Sequence, residues 1–106
     1  MRGLTILVAT ADPARYCAAL ELAAAQAALG GRARVHLHGE AVTMLFTDES
    51  AGLAELRVEA AALGVEMSAC QTGLAATPGR SLPDNVAAGG PIGLLTELGE
   101  DRFVTF

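Results

Sequence analysis

The chain has 106 residues, the size of one domain, which is enough for a hydrophobic core that needs no disulfide or metal. Its net charge is −5 and its 7 basic residues are all arginines, so binding to nucleic-acid phosphates or to an anionic membrane surface is not expected. Hydrophobic residues make up 52% of the chain and aromatic residues only 4%, so the core of this single domain, residues 1–106, must be built from Ala, Leu and Val.

The first half of the chain predicts strands that alternate with helices. Runs of β-favouring residues indicate strands, and apolar residues at helical spacing indicate helices. The predicted elements are a strand over residues 4–10, a helix over 13–29, a strand over 34–38, one or two helical turns over 41–46 and a helix between Ser50 and Gly64. Asp12 can cap the first helix through its side-chain oxygen, and Ser50 can cap the last one after a polar break over 47–50.

The second half repeats this alternation with shorter elements. A strand over 65–69 passes at once into a short helix, and a loop rich in turn residues covers 77–85. A short strand over 86–88, a helix over 91–98 and a final strand over 102–106 follow. The whole pattern predicts an α/β fold: a three-layer α/β/α sandwich, flavodoxin-like in style, with a mostly parallel sheet of about five strands and right-handed crossovers.

Cysteine usage and the amino-terminal segment indicate a cytoplasmic protein. Cys17 and Cys70 are its 2 cysteines, and they form neither a disulfide framework nor a CxxC pair. The apolar run after Met1 is too short for a signal peptide, and no apolar stretch reaches transmembrane length. We therefore expect reduced thiols, a cytoplasmic setting and no membrane partner.

Cys70 is the strongest candidate for chemistry, because it lies where a strand gives way to a helix. Ligands bind at the carboxyl ends of strands in open α/β sheets, and a helix amino terminus lowers the pKa of a thiol. The unpaired amides of Gln71, Thr72 and Gly73 would favour a thiolate or persulfide anion there. The alternative is a buried structural cysteine, since free cysteine is among the most buried residue types.

Polar side chains at other strand ends are predicted to share the pocket of Cys70. Thr10, His38 and Glu40 end or follow strands that point the same way in a parallel sheet. His38 would assist proton transfer to or from the thiol, and Glu40 would orient His38. Asp12 is interpreted as a helix cap rather than a member of the site.

No cofactor or metal is predicted from the sequence. Residues 10–13 after the first strand contain no glycine-rich loop and carry an acidic residue, which argues against a dinucleotide or nucleotide-phosphate site. His36 and His38 share one face of a strand, but a pair is weak support for a metal, because a structural zinc site typically needs four ligands.

Several motifs, in their order along the chain, resemble the DsrE/DsrF-like sulfur-relay family. They are Gly39-Glu40-Ala41-Val42, Met67-Ser68-Ala69-Cys70-Gln71-Thr72-Gly73-Leu74, Val86-Ala87-Ala88-Gly89-Gly90 with Ile92-Gly93-Leu94-Leu95, and Asp101-Arg102-Phe103-Val104-Thr105-Phe106. The resemblance covers essentially the whole chain, and the cysteine after the third strand is its most specific element. It departs from the family in the compact segment between Cys70 and Gly89, the region in which sulfur-relay members vary most.

The resemblance implies a function for one residue. In characterised members of the family the corresponding cysteine accepts sulfur as a persulfide and passes it to a partner, and that role falls on Cys70. It also implies a three-layer fold, homo-oligomers that are often trimers or hexamers, and donor and acceptor proteins for the sulfur. The chain would be a sulfurtransferase-like carrier more than a turnover enzyme.

Two other functions remain open on sequence grounds. A non-catalytic oligomeric module that binds a ligand or a protein is supported by the alanine-rich helix over 13–29, and it expects Cys70 to be shielded. A thiol peroxidase ranks third, because the Pro/Thr arrangement that precedes the cysteine in peroxiredoxins is missing. Cys17 is interpreted as a core residue rather than a resolving partner of Cys70.

Overall fold

The computed structural model describes residues 1–46 and 49–106, and its centre is a sheet of five parallel strands. The strands are β1 Leu4–Val8, β2 Ala33–Leu37, β3 Glu66–Cys70, β4 Val86–Gly89 and β5 Arg102–Thr105. They lie in the order β4-β3-β2-β1-β5, and every neighbouring pair is parallel. The predicted α/β fold with a parallel sheet is confirmed.

Within the described residues, four α-helices and one 3-10 helix connect the strands. They are α1 Pro13–Ala28, the 3-10 helix Gly39–Leu45, α2 Ala51–Ala62, α3 Gln71–Ala75 and α4 Pro91–Thr96. Both predicted caps are confirmed, since Asp12 accepts the amide of Ala14 at 2.9 Å and Ser50 accepts that of Leu53 at 3.2 Å. Residues 47 and 48 of the predicted polar break lie outside the described residues. Among the helices of the described ranges, none is long and apolar enough to cross a membrane.

The two faces of the sheet differ in polarity, because side chains alternate along each strand. One face carries the apolar core residues Ile6, Val35 and Ala69, each fully buried, and α1 packs on β1 and β2 on that side. The other face carries polar groups such as Arg34 and the two histidines. This second face is called the polar face below.

The order of the strands explains why α4 lies over the polar face. The chain moves from β1 to β4 in one direction and then returns across the sheet to β5. Right-handed crossovers that run in opposite directions place their helices on opposite faces. Accordingly, Glu97 at the end of α4 pairs with Arg34 of the polar face at 3.0 Å, whereas α1 and α2 pack together on the apolar face.

A buried ion pair holds the start of α2 against α1. Glu49 accepts from Arg57 Nε at 2.9 Å and from Nη2 at 3.1 Å, with both side chains about nine-tenths buried. The hydroxyl of Tyr16, on α1, donates to the same carboxylate at 3.5 Å. Burial, followed by the charge of Glu49, raises the pKa of Tyr16, so its hydroxyl stays protonated and able to donate.

Replacing Glu49 by glutamine is expected to lower the free energy of unfolding by about 3 kcal/mol, because a buried guanidinium then loses its counter-charge. Urea unfolding checks this. Glu59→Gln, at an exposed position of α2, is the matched control and should change stability by less than about 0.5 kcal/mol. Equal effects of the two substitutions would show that the ion pair does not stabilise the contact between α1 and the start of α2.

Candidate functional site

Cys70 is the last residue of β3 and the residue that precedes α3. The strand extends one residue further than the sequence predicted, because Cys70 still pairs with Gly89 of β4. Its side chain is directed to the polar face and is only 2% exposed. The expected position at a strand-to-helix junction is confirmed, and the thiol is buried there.

Four polar groups of neighbouring residues favour the ionised form of the Cys70 thiol. They are the amides of Gly73 and Thr72, the hydroxyl of Thr72 and the amide of Gly39. Burial by itself would raise the pKa of this thiol, but these hydrogen bonds outweigh it and lower the pKa below its ordinary value. Two of the three amides predicted from the sequence, those of Thr72 and Gly73, are among the groups that lower this pKa.

The pH dependence of alkylation should separate the two cysteines. A hydrogen bond to Glu21, at 3.2 Å, raises the pKa of Cys17. The alkylation rate of Cys70 in chelator-treated protein is therefore expected to reach half its maximum below the ~8.5 of a free thiol, and that of Cys17 above it. Peptide-resolved mass spectrometry of one sample measures both midpoints, and a Cys70 midpoint at or above that of Cys17 would contradict the geometry.

Two glycines bring the donors within reach of the thiol. Gly39 adopts a left-handed backbone conformation, with φ +58°, as the chain leaves β2, and glycine takes this conformation at little cost. Gly73 packs so closely that an added Cβ would lie 2.6 Å from Val42 Cγ2 and 2.7 Å from the carbonyl oxygen of Gly39. A close contact between α3 and the 3-10 helix therefore surrounds the sulfur with amides.

Both histidines of the chain lie beside Cys70. One ring nitrogen of His36, one of His38 and the sulfur of Cys70 are all within 4.8 Å of one another. His36 is 1% exposed, and its Nδ1 forms a 2.7 Å hydrogen bond with Ser68 Oγ. Burial, and then the charge of His38, lower the pKa of His36, which favours its neutral form. Nε2 of His36 and Nδ1 of His38 are buried without a hydrogen-bond partner among the described residues.

The remaining residues predicted for the site differ in their burial. Gln71 is exposed at the start of α3, and Glu40 is exposed on the 3-10 helix. Since Nδ1 of His38 has no partner in the described part of the chain, Glu40 does not orient the ring through that atom. Thr10 follows β1, and its buried hydroxyl has no hydrogen-bond partner among residues 1–46 and 49–106, so its place in the site stays a prediction. Cys17 lies on α1, which covers the opposite face of the sheet, and packs at the edge of the core.

An open cavity of about 790 Å³ lies between the polar face and α4. Its wall includes His36 and Ser68 from the sheet, Gly89 from the end of β4, and Leu94 from α4. His36 contributes both to this wall and to the cluster around Cys70.

His36 and Ser68 were missed as members of the site by reasoning from the sequence. Their signal is the alternation His36-x-His38 and Ser68-x-Cys70, which places both pairs on one face if β2 and β3 are neighbours. The register shows that they are, with His36 opposite Ser68. The two pairs together form the site, whereas the histidine pair alone was a weak indication.

The fold and the site define an α/β protein with one hydrogen-bonded thiol at the carboxyl edge of a parallel sheet. The structure is similar to the crystal structure of ychN protein from E. coli, which has the DsrE-like fold, with a TM-score of 0.79 and 20% sequence identity over 100% of both chains. This similarity shows the fold. No protein-family model matches the sequence, and no curated protein matches it either.

Proposed function

We propose that this protein is a sulfur carrier that accepts sulfur as a persulfide on Cys70 and relays it to a partner. The observation that carries the proposal is the position of Cys70 at the junction of β3 and α3, where the amides of Gly73 and Thr72 favour its ionised form and lower its pKa despite burial. Thiolate is the nucleophilic form of cysteine, and the same donors stabilise a persulfide anion. The DsrE-like fold is consistent with this role.

The transfer is a pair of balanced displacements at sulfur. The Cys70 thiolate attacks the outer sulfur of a donor persulfide, the new S–S bond forms as the old one breaks, and the donor leaves as a thiolate. An acceptor thiolate then attacks the outer sulfur on Cys70, and the Cys70 thiolate is the leaving group. Neither step needs an external oxidant or reductant. We assign proton exchange with this sulfur to His38, one of whose ring nitrogens lies within 4.8 Å of it.

A loading and unloading experiment tests the carrier. Purified protein is treated with chelator, incubated with a small-molecule polysulfide and desalted, and its intact mass is measured before and after addition of an acceptor thiol. The expected result is a gain of one sulfur atom per chain that is lost again as the acceptor becomes persulfidated. Absence of the added mass, or mass that the acceptor thiol does not remove, would refute the carrier function.

The burial of Cys70 favours one second candidate, a non-catalytic module that binds a ligand or a protein partner. With 2% of its side chain exposed, Cys70 is as shielded as that alternative expects, and the cavity beside α4 would be its binding site. Comparison of the alkylation rate of Cys70 in native and urea-unfolded protein separates the two. If the protein is a carrier, Cys70 in the native protein should be alkylated near neutral pH at a rate comparable to that in the unfolded chain. If it is a binding module, Cys70 in the native protein should be alkylated much more slowly.

We also propose that the carrier is a cytoplasmic homo-oligomer. Ile92 and Leu95 lie one turn apart on α4 and are 84% and 60% exposed, and Phe103 of β5 is 40% exposed. Exposed apolar side chains of this size on a small protein favour an interface. Light scattering is expected to give a mass several times that of one chain, and a monomer at micromolar concentration would refute self-association.

A further inference from the structure

The cluster around Cys70 contains the side-chain atoms that a transition metal prefers. Zn²⁺ binds cysteine sulfur and histidine nitrogen, and in catalytic sites it keeps three protein ligands and one open position. The two histidines of this chain and Cys70 supply two nitrogens and one sulfur within 4.8 Å of one another. A tetrahedral zinc site with these ligands needs separations of about 3.3–3.6 Å, so metal binding would draw the three side chains closer together.

Each histidine has one ring nitrogen that is available to bind a metal, since among the described residues it has no hydrogen-bond partner. Nδ1 of His36 is engaged with Ser68 Oγ at 2.7 Å, which leaves Nε2 as the ring nitrogen available to a metal. That atom and Nδ1 of His38 are both buried and have no hydrogen-bond partner within residues 1–46 and 49–106. Buried polar atoms are almost always satisfied, so two unpartnered nitrogens beside one thiol indicate a missing partner. Metal-ligating histidines usually have their second nitrogen hydrogen-bonded, as His36 has here.

From this geometry we infer a mononuclear Zn²⁺ site formed by Cys70 Sγ, His36 Nε2 and His38 Nδ1, with Ser68 as the positioning residue of His36. The fourth position would be left for a water molecule or another small ligand. Metal binding goes beyond the proposed carrier function, because a thiolate bound to Zn²⁺ is withdrawn from attack on a persulfide. Bound metal would therefore hold Cys70 in a protected state until a chelating or competing ligand removes it.

Direct metal binding tests the site without any sulfur-transfer assay. Chelator-stripped full-length protein is titrated with Zn²⁺ against a chromophoric chelator and, separately, with Co²⁺ while its absorption spectrum is recorded. The expected results are one Zn²⁺ per chain and a thiolate-to-cobalt charge-transfer band. Saturating Zn²⁺ should also slow alkylation of Cys70 at least tenfold and leave alkylation of Cys17 unchanged.

Matched variants decide whether these three residues form the site. Cys70→Ser should abolish the charge-transfer band, His38→Gln should weaken Zn²⁺ binding more than about a hundredfold, and Ser68→Ala should weaken it about tenfold. Cys17→Ser is the control and should bind as wild type. Circular dichroism verifies folding, and His38 serves as the main histidine variant because it is less buried than His36. Three results would overturn the site: protein that cannot take Zn²⁺ from the chelator, a cobalt spectrum without the thiolate band, or a His38→Gln variant that binds Zn²⁺ as tightly as wild type. None of them would affect the test of the carrier function.

Discussion

Replacing Cys70 by serine is expected to abolish the uptake of sulfur from a polysulfide donor. Serine keeps the size and the hydrogen bonds of the site, but its hydroxyl is not ionised near neutral pH and forms no persulfide. The four donors of the site would then have no anion to stabilise. In the loading experiment the variant should show no added sulfur under conditions in which the wild-type chain is fully loaded.

Cys17→Ser is the matched control for that substitution. It removes the other thiol of the chain, which lies on α1 at the opposite face of the sheet and whose pKa a hydrogen bond to Glu21 raises. Its loading should equal that of wild type within the error of the mass measurement. Loss of sulfur uptake in Cys17→Ser, or normal uptake in Cys70→Ser, would contradict the assignment of the sulfur chemistry to Cys70.

Replacing Gly73 by alanine is expected to damage the site and the fold together. The new methyl group would lie 2.6 Å from Val42 Cγ2 and 2.7 Å from the backbone oxygen of Gly39, so α3 must move away from the 3-10 helix. Overpacking of this kind costs about 1–3 kcal/mol. The movement also displaces the amides of Gly73 and Gly39 from the sulfur, so the alkylation midpoint of Cys70 should shift to higher pH.

Gly93→Ala in α4 makes the same chemical change where there is room for it. A Cβ at this position meets no atom within 4 Å, so only the helix propensity changes, and stability should rise by up to about 1 kcal/mol. Urea unfolding and the pH profile of alkylation are measured for both variants. If both behaved alike, the contact between α3 and the 3-10 helix would not position the donors around Cys70.

The sequence predicted the fold well because its signals are local. Asp12 and Ser50 are found where the hydrogen bonds of helix starts require them. Alternating strands and helices predict a parallel sheet, and a cysteine between a strand and a helix predicts amides close to its sulfur. The amides of Thr72 and Gly73 lie near Cys70 because these residues follow it closely in the chain, so their effect on the thiol could be predicted without the tertiary structure.

The rest of the site depends on which strands are neighbours, and the sequence does not encode that locally. His36 meets Ser68 only because β2 and β3 are adjacent in register. The amide of Gly39 reaches Cys70 only because the 3-10 helix packs against α3. The burial of Cys70 likewise results from packing against other elements, which is why its shielding could not be read from its position at the end of a strand.

The measurement that tests the sulfur-carrier proposal most directly is peptide-resolved mass spectrometry of wild-type protein after brief exposure to a polysulfide at neutral pH. The chain carries 2 cysteines in different peptides, so each can be scored separately in one sample. We predict one additional sulfur atom on the peptide that contains Cys70 and none on the peptide that contains Cys17. An unmodified Cys70, or equal modification of both cysteines, would contradict the proposal.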